Sequence, residues 1–265
     1  MNEIVSAAIE AAGVLKGLDL LKEVYVDVAQ PGARQVGIAV GTLLELTFSP
    51  LNSFNERRKV KLGAALEELA HKLRAIPEGD IVEVSPEIGV PAIERLTYVS
   101  DSVLRALYLE LLAAAASKHT VNTAHPNFLN IIQGLSPDEA NLVGLIGEGG
   151  LHAIVERPAV RYAPDGEAFR GNAVCYIANR YAAHLQFPEN MNGYLSNLLG
   201  LGILEIWDRQ QGSMADIKEI SKTVRERSPA PESGSAYGGL IALSAFGMMF
   251  LRACVPNYRK APFSV

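Results

Sequence analysis

The stretch YLSNLLGLGILEIW, Tyr194–Trp207, decides the fold class of this chain. Its first part has leucines at helical spacing, and the glycines at 200 and 202 then end the helix. The segment Ile203–Trp207 follows without a linker and is predicted to be a strand. A helix that runs directly into a strand indicates a mixed α and β arrangement in this part of the chain.

A second strand and a last helix complete the C-terminal pattern. A polar helix is predicted over Met214–Glu226, followed by the Pro- and Gly-rich segment RSPAPESGSAYGG. A strand is then predicted at Leu240–Leu243, and Ser244 caps a helix with Phe246, Met249 and Phe250 turned inward. Helices followed by two short antiparallel strands that flank a loop are typical of a winged helix.

The region just before this pattern starts with a strong helix signal. Ser136 is a capping residue, Pro137 suits the first helical position, and Asp138 and Glu139 face the positive end of the helix. We predict a helix from there to about Glu148. The segments that follow are predicted as strands at Leu151–Glu156 and Ala159–Tyr162 and as helices at Phe169–His184 and Glu189–Leu199.

The first half of the chain shows helical periodicity. Helices are predicted at Ile4–Val28, Ala33–Phe48, Glu56–Ile76, from Ser100 or Asp101 to about Ala115, and at Asn127–Gln133. Prolines at 77, 86 and 91 predict an extended connection over Ile76–Pro91. The predicted fold is mainly α, with an N-terminal helical module at 1–134 and a winged-helix-like α+β module with short antiparallel strands at 135–265.

Composition restricts the class of protein and its compartment. The 265 residues are 49% hydrophobic with a formal charge of −5, which excludes intrinsic disorder. Cys175 and Cys254 lie in apolar stretches and are predicted to be buried thiols. The N-terminus lacks the basic region of a signal peptide, so we expect a reducing cytoplasm.

Two apolar stretches raise the question of a membrane. The stretch 35–48 runs into Pro50 and Asn52, and the stretch 240–251 is preceded by SGSAYGG. Both are shorter than the about 20 apolar residues that a spanning helix needs. Three interpretations stay open for these two stretches: a part of the buried core, a surface that contacts a partner, or a peripheral contact with a membrane.

Sequence motifs for catalysis are missing from this chain. It has no phosphate-binding loop with lysine, no paired metal-ligand motif and no Gly-x-Ser-x-Gly elbow. His119 and His125 do not match a zinc spacing. We therefore predict no catalytic, cofactor-binding or metal-binding residue and no cofactor, and lean toward a non-enzymatic protein. Arg180 and His184, one turn apart on the predicted helix, leave a ribonuclease as a less favoured alternative.

Nucleic-acid binding is a further alternative that the charges do not favour. The candidate recognition helix, ENMNGYLSNLLG, contains neither Lys nor Arg. From Ser136 onward the chain has 12 basic and 13 acidic residues, so it has no excess of positive charge for binding phosphates. The basic run Arg57–Lys61 is followed by Glu67 and Glu68, which suggests a solvated helix face.

Four segments resemble the abortive infection alpha (Abi-alpha) family. They are IPEGDIVEVSPEIGVPAIERLTYV, LRALYLELLAAAASKHTVNTAHPNFLNIIQGLSPDEANLV, NLLGLGILEI and LSAFGMMFLRAC. The resemblance extends from about Pro31 to Cys254 and is densest at His125–Ala140. The sequence departs from the family pattern in the apolar segment GLIGEGGLHAIVE, where the family usually carries more charge. The resemblance implies bacterial antiviral defence or a mobile-element setting, and it brings no established catalytic residue. We expect action through a protein partner, either a second copy or a phage or host factor.

Overall fold

The computed structural model describes residues 56–149, 152–162, 168–177, 179–207 and 237–258, with side chains at 61–147, 181–206 and 241–258. These residues fall into two compact units, divided between Gly134 and Leu135 and again between Leu251 and Arg252. The helices predicted at Ile4–Val28, Ala33–Phe48 and Met214–Glu226 lie outside the described residues. That 1–134 and 135–265 are separate domains stays a prediction.

The first unit is helical, and α3 is its centre. Nine consecutive residues of α3, Leu107–Ala115, are buried, and the helix contacts all three of its neighbours. Burial on all sides favours apolar residues, which explains the run of alanines at its end, and Glu110 is the one charged residue among these nine. The helices of this unit are α1 (Glu56–Arg74), α2 (Pro86–Leu96), α3 (Ser102–Ala115) and α4 (Phe128–Gln133).

Local signals correctly predicted the start of α3 but not that of α2. The Asp101 carboxylate caps α3 by accepting hydrogen bonds from the N–H groups of Val103 and Leu104, at 2.9 and 3.0 Å. The extended connection predicted over Ile76–Pro91 is wrong, since it contains a 3-10 turn at Glu78–Asp80 and the start of α2 at Pro86. Proline is tolerated in the first helical turn because its missing N–H would have no helical partner there.

Two ion pairs join α1 to α3. Lys72 Nζ lies 2.6 Å from Glu110 Oε1, and the side chain of Glu110 is only 9% exposed. Arg105 lies 2.8 Å from Glu68, whose side chain is 44% exposed. The first pair holds a carboxylate inside the helical core, whereas the second is a surface pair.

The second unit combines helices with one antiparallel sheet in the order β2-β1-β4-β3. The helix α5 contacts β4, and α7 contacts β2, β3 and α5. Its elements are α5 (Pro137–Gly149), β1 (His152–Tyr162), β2 (Ala168–Ile177), α6 (Asn179–Ala182), α7 (Met191–Gly200), β3 (Leu204–Trp207) and β4 (Tyr237–Leu243). The last helix, α8 (Ala245–Cys254), begins in this unit and continues past its boundary at Leu251.

Three predictions for this unit meet different outcomes. The antiparallel pair formed by β3 and β4 is confirmed, and it is followed by the predicted last helix. The helix predicted at Phe169–His184 is wrong, because Ala168–Ile177 forms β2 and pairs with β1. Cross-strand pairing is non-local, so the helix-like composition of this segment does not decide its structure. The mainly helical class holds, but the winged-helix architecture is not confirmed.

The turn from α7 into β3 places the last helix. Gly202 has φ +72°, and the Ile203 N–H then bonds to the Leu198 carbonyl at 3.0 Å, which closes α7 in a Schellman turn. The Ile203 carbonyl accepts the Ser244 N–H at 3.0 Å, and the Ser244 hydroxyl donates to the Gly202 carbonyl at 2.5 Å. A Cβ atom at Gly247 would lie 2.0 Å from the Ile203 carbonyl oxygen, so only glycine fits there.

The apolar stretch 240–251 contributes to the core. Ile241, Leu243, Phe250 and Leu251 are buried, and Cys254 is buried as predicted. The stretch 35–48 and the Cys175 side chain lie outside what the structure describes.

None of the helices within the described residues combines the length and the apolar character that crossing a membrane demands.

Replacing Gly247 with alanine should destabilise the second unit by about 2 kcal/mol or more, because the added methyl group would overlap backbone rather than a movable side chain. Gly193→Ala is the matched control, since a Cβ atom there meets nothing within 4 Å. The control should be neutral or stabilising by up to about 1 kcal/mol. Urea unfolding of the full chain checks both values, and equal stabilities of the two variants would contradict the close contact.

Replacing Lys72 with methionine should destabilise the protein by about 2–3 kcal/mol, since it removes the ammonium group that faces the buried Glu110 carboxylate. Glu68→Gln, which removes the exposed pair between the same two helices, should cost less than about 1 kcal/mol. Chemical unfolding measures the stability of both variants. A larger loss of stability for Glu68→Gln than for Lys72→Met would contradict the prediction that the more buried ion pair contributes more.

Candidate functional site

The candidate site is built at the start of α5, where the sequence reads Ser136-Pro137-Asp138-Glu139. The Ser136 hydroxyl accepts the Glu139 N–H at 3.3 Å, and Glu139 Oε2 accepts the Ser136 N–H at 2.6 Å. This is a capping box, in which each residue satisfies a backbone donor of the other. The predicted helix start is therefore confirmed.

Asp138 joins this helix start to a segment far along the chain. Its Oδ1 accepts the Gln186 N–H at 2.8 Å, and its Oδ2 accepts the Phe187 N–H at 2.8 Å and the Tyr194 hydroxyl at 3.0 Å. Asp138 itself is only 4% exposed. One buried carboxylate thus receives three donors and fixes both the segment before α7 and the first turn of that helix.

The surroundings of Asp138 keep it ionised. Burial raises its pKa, but the hydrogen bonds from the N–H groups of Gln186 and Phe187 and from the Tyr194 hydroxyl outweigh burial, and the net pKa is lowered. Burial, reinforced by the Asp138 carboxylate, raises the pKa of Tyr194. Tyr194 therefore keeps its proton and remains a donor to Asp138.

Glu139 makes a second link between the same two helices. Its Oε1 accepts a hydrogen bond from the Asn197 side-chain amide at 2.8 Å, while Oε2 serves the capping box. Glu139 is 5% exposed. Both carboxylates therefore lie in the interface between α5 and α7, and each oxygen atom of the two accepts a hydrogen bond.

This arrangement is suited to positioning rather than to proton transfer. A general acid near neutral pH needs a raised pKa, whereas the pKa of Asp138 is lowered. A nucleophilic carboxylate needs an oxygen atom open to a substrate, and the oxygens of Asp138 accept hydrogen bonds from the protein itself. The pair holds a segment of backbone in one conformation.

The two histidines considered as metal ligands, His119 and His125, have separate partners. His119 Nε2 lies 3.0 Å from Asp80 Oδ2 at the surface, and His125 Nδ1 accepts the Asn127 N–H at 3.1 Å. Among the described residues, His, Cys, Asp and Glu side chains form no group of three or more that could hold a metal ion.

The structure does not place Arg180 and His184 on one helix as predicted. Helix α6 covers only Asn179–Ala182, and His184 follows it in an exposed turn. The alternative of a helical ribonuclease pair therefore loses its geometric basis.

Sequence reasoning identified Asp138 and Glu139 only as favourable charges at a helix start. Their partners Gln186, Tyr194 and Asn197 are 48 to 58 positions away, so no local pattern connects them. The sequence contains one signal for this role. Asp138 and Glu139 are adjacent between apolar segments, and a capping box accounts only for Glu139.

Replacing Asp138 with asparagine should destabilise the protein by about 2–3 kcal/mol, because the amide cannot accept all three donors and leaves buried donors unsatisfied. Asp101→Asn is the matched control, since asparagine caps a helix as well as aspartate does and should change stability by less than about 0.5 kcal/mol. Thermal and urea unfolding measure both variants.

The destabilisation by Asp138→Asn should depend on pH. The folded pKa of Asp138 is lowered, so its contribution is complete above the unfolded value of about 3.9 and is lost as the pH falls through the folded pKa. The stability difference between wild type and Asp138→Asn should therefore shrink below about pH 4. A difference that is constant from pH 3 to 7 would contradict this prediction.

Comparison with solved structures finds one chain to which this protein is similar. It is the structure of an uncharacterized protein from the hydrocarbon-degrading marine bacterium Alcanivorax borkumensis SK2, with 16% identity over 58% of this chain and 98% of that chain. The TM-score is 0.31. No curated protein matches the sequence.

A family model matches most of the chain. It is the model for abortive infection alpha, and the match covers residues 57–254. The matched range includes the capping box, the Asp138 hydrogen bonds and the junction of α7 with β3. The chain belongs to the abortive infection alpha family.

Proposed function

We propose that this protein acts in bacterial abortive infection, in the cytoplasm, by contacting another protein rather than by catalysis. The family match over residues 57–254 is the observation that carries this proposal. The partner is a phage or host protein.

The arrangement of the buried polar groups supports interaction rather than chemistry. The two carboxylates of the candidate site are used to hold the segment before α7. That segment is exposed over 186–190. A surface segment with an anchored backbone is suited to recognition, because little conformational entropy is lost when a partner binds.

The two alternative functions have less support. A winged-helix reading would make α7 the recognition helix, but Tyr194, Leu195 and Leu198 are buried, and the helix contains neither Lys nor Arg. A membrane-acting role for 240–251 is weakened by the burial of Ile241 and Phe250 in the core.

Expression of the full chain in a phage-sensitive bacterium should lower plaque counts for at least one phage of a panel, by about tenfold or more. In abortive infection the infected culture should also stop growing at high multiplicity and survive at low multiplicity. An otherwise identical gene with an early stop codon is the control. Unchanged plaque counts across the whole panel would overturn the proposed defence function.

A further inference from the structure

We propose that Arg95 and Tyr108 form a binding site for a phosphate monoester at the corner between α2 and α3, with Tyr98 holding the guanidinium in place. The site lies in the helical unit and goes beyond the proposed contact with another protein, since its ligand is a small phosphorylated molecule. Three observations support it: the charge of Arg95 without an acidic partner, its stacking on Tyr98, and the hydroxyl of Tyr108 beside it.

The guanidinium of Arg95 makes no ion pair within residues 61–147. The ion pairs of the helical unit use other bases, namely Lys72, Arg105 and His119. The carboxylate of Glu94 is next to Arg95 in sequence, but adjacent side chains of a helix do not face each other. Arg95 is half-buried, so it has given up part of its hydration without gaining a counter-charge.

A cation in the last turn of a helix ordinarily serves the negative helix end, but the carbonyls at the end of α2 already have donors. The Arg95 carbonyl accepts the N–H groups of Tyr98 and Val99, at 3.1 and 2.9 Å. The Glu94 carbonyl accepts the Thr97 hydroxyl at 2.7 Å. No side-chain donor of Arg95 hydrogen-bonds to another described residue, so these donors are available to a ligand.

Tyr98 orients the guanidinium. Arg95 Cζ lies 5.3 Å from the centroid of the Tyr98 ring, and a cation over an aromatic face is attracted to it. Tyr98 is 41% exposed, so the stack lies at the surface. A guanidinium that stacks through its face keeps its N–H edge for hydrogen bonds, and a fork held in one orientation loses less entropy when it binds phosphate oxygens.

Tyr108 supplies a further donor beside Arg95. The residue is only 3% exposed, yet its hydroxyl oxygen is not among the buried atoms that lack a hydrogen bond. Since no described group bonds to this hydroxyl, its oxygen reaches solvent. Burial raises the pKa of Tyr108 to about 12, against the charge of Arg95, which is near enough to lower it. The hydroxyl therefore keeps its proton and stays a donor.

The number of donors indicates the class of ligand. The fork of Arg95 offers two parallel N–H groups and Tyr108 offers one O–H, which match the three terminal oxygens of a phosphate monoester. A carboxylate or the phosphodiester of a nucleic acid has only two such oxygens. A nucleic-acid strand also requires several bases, whereas Arg95 is the only base between Pro86 and Leu104. The site therefore fits a small phosphate monoester.

The test is an NMR titration of the isotope-labelled full chain with methyl phosphate, dimethyl phosphate or acetate. These probes carry the monoester, the diester and the carboxylate on equally small groups. We expect methyl phosphate to shift the backbone N–H signals of Arg95–Val99 and to bind about tenfold or more tightly than the other two anions. Equal affinities of the three anions would mean non-specific attraction to an exposed cation and would overturn the site.

Substitutions assign the role of each side chain. Arg95→Ala should weaken the binding of methyl phosphate by about tenfold or more, and Arg95→Lys should restore only part of the loss because an ammonium group cannot bind two oxygens side by side. Tyr108→Phe should weaken binding about threefold or more. Tyr98→Leu should weaken it as well, whereas Tyr98→Phe, which keeps the ring, should bind as wild type does.

Arg74→Ala is the matched control. Arg74 also lies in the last turn of a helix, α1, but it is exposed and stacks on no aromatic ring among the described residues. This variant should bind methyl phosphate with unchanged affinity. Thermal unfolding should place Arg95→Ala and Tyr108→Phe within about 2 °C of wild type, so that their effect is not one of folding.

The outcomes separate this site from the proposed function. Unchanged affinity in Arg95→Ala, or an equal loss in Arg74→Ala, overturns the site. Unchanged affinity in both Tyr108→Phe and Tyr98→Leu overturns the assigned geometry, since it leaves a single surface arginine. Plaque counts that wild type leaves unchanged overturn the defence function, and they do not affect the titration.

Discussion

The main-chain atoms of Gly202 and Ile203 are the constraint on which the second unit depends. The Ile203 N–H closes α7, the Ile203 carbonyl accepts the N–H of Ser244, and the Gly202 carbonyl accepts its hydroxyl. Gly247 then passes so close to the Ile203 carbonyl that no side chain fits. Since these contacts involve backbone, they cannot be relieved by a change of rotamer. They hold β3 beside β4 and set the point from which α8 begins.

The Asp138 carboxylate fixes the backbone of a surface segment, the loop before α7. It binds two consecutive backbone N–H groups and the first turn of α7, so the loop before α7 is fixed relative to α5. The lowered pKa of Asp138 keeps the carboxylate charged over the physiological pH range, where its hydrogen bonds are strongest. A buried ionised group thereby determines the backbone geometry of an exposed segment that contains Phe187.

Local sequence signals predicted some elements well and failed on others for a physical reason. The caps at Asp101, Ser136 and Ser244 are correct because a cap depends on residues within one turn of the helix. The helix predicted at Phe169–His184 is wrong, because Ala168–Ile177 is a strand whose state is decided by pairing with β1. The prolines at 86 and 91 predict an extended segment, whereas both lie in α2: Pro86 occupies the first turn, which accepts proline, and Pro91 lies inside the helix.

The sequence by itself determined the mainly helical class, most helix starts and the turn at Gly202, since each depends on neighbours a few residues apart. Its resemblance to the abortive infection alpha family agrees with the family match over residues 57–254. Only the tertiary structure decided the strand order β2-β1-β4-β3 and the burial of Ile241, Phe250 and Leu251. It alone revealed the partners of Asp138, 48 to 56 positions away, because hydrogen bonds between distant segments form only when the chain packs as a whole.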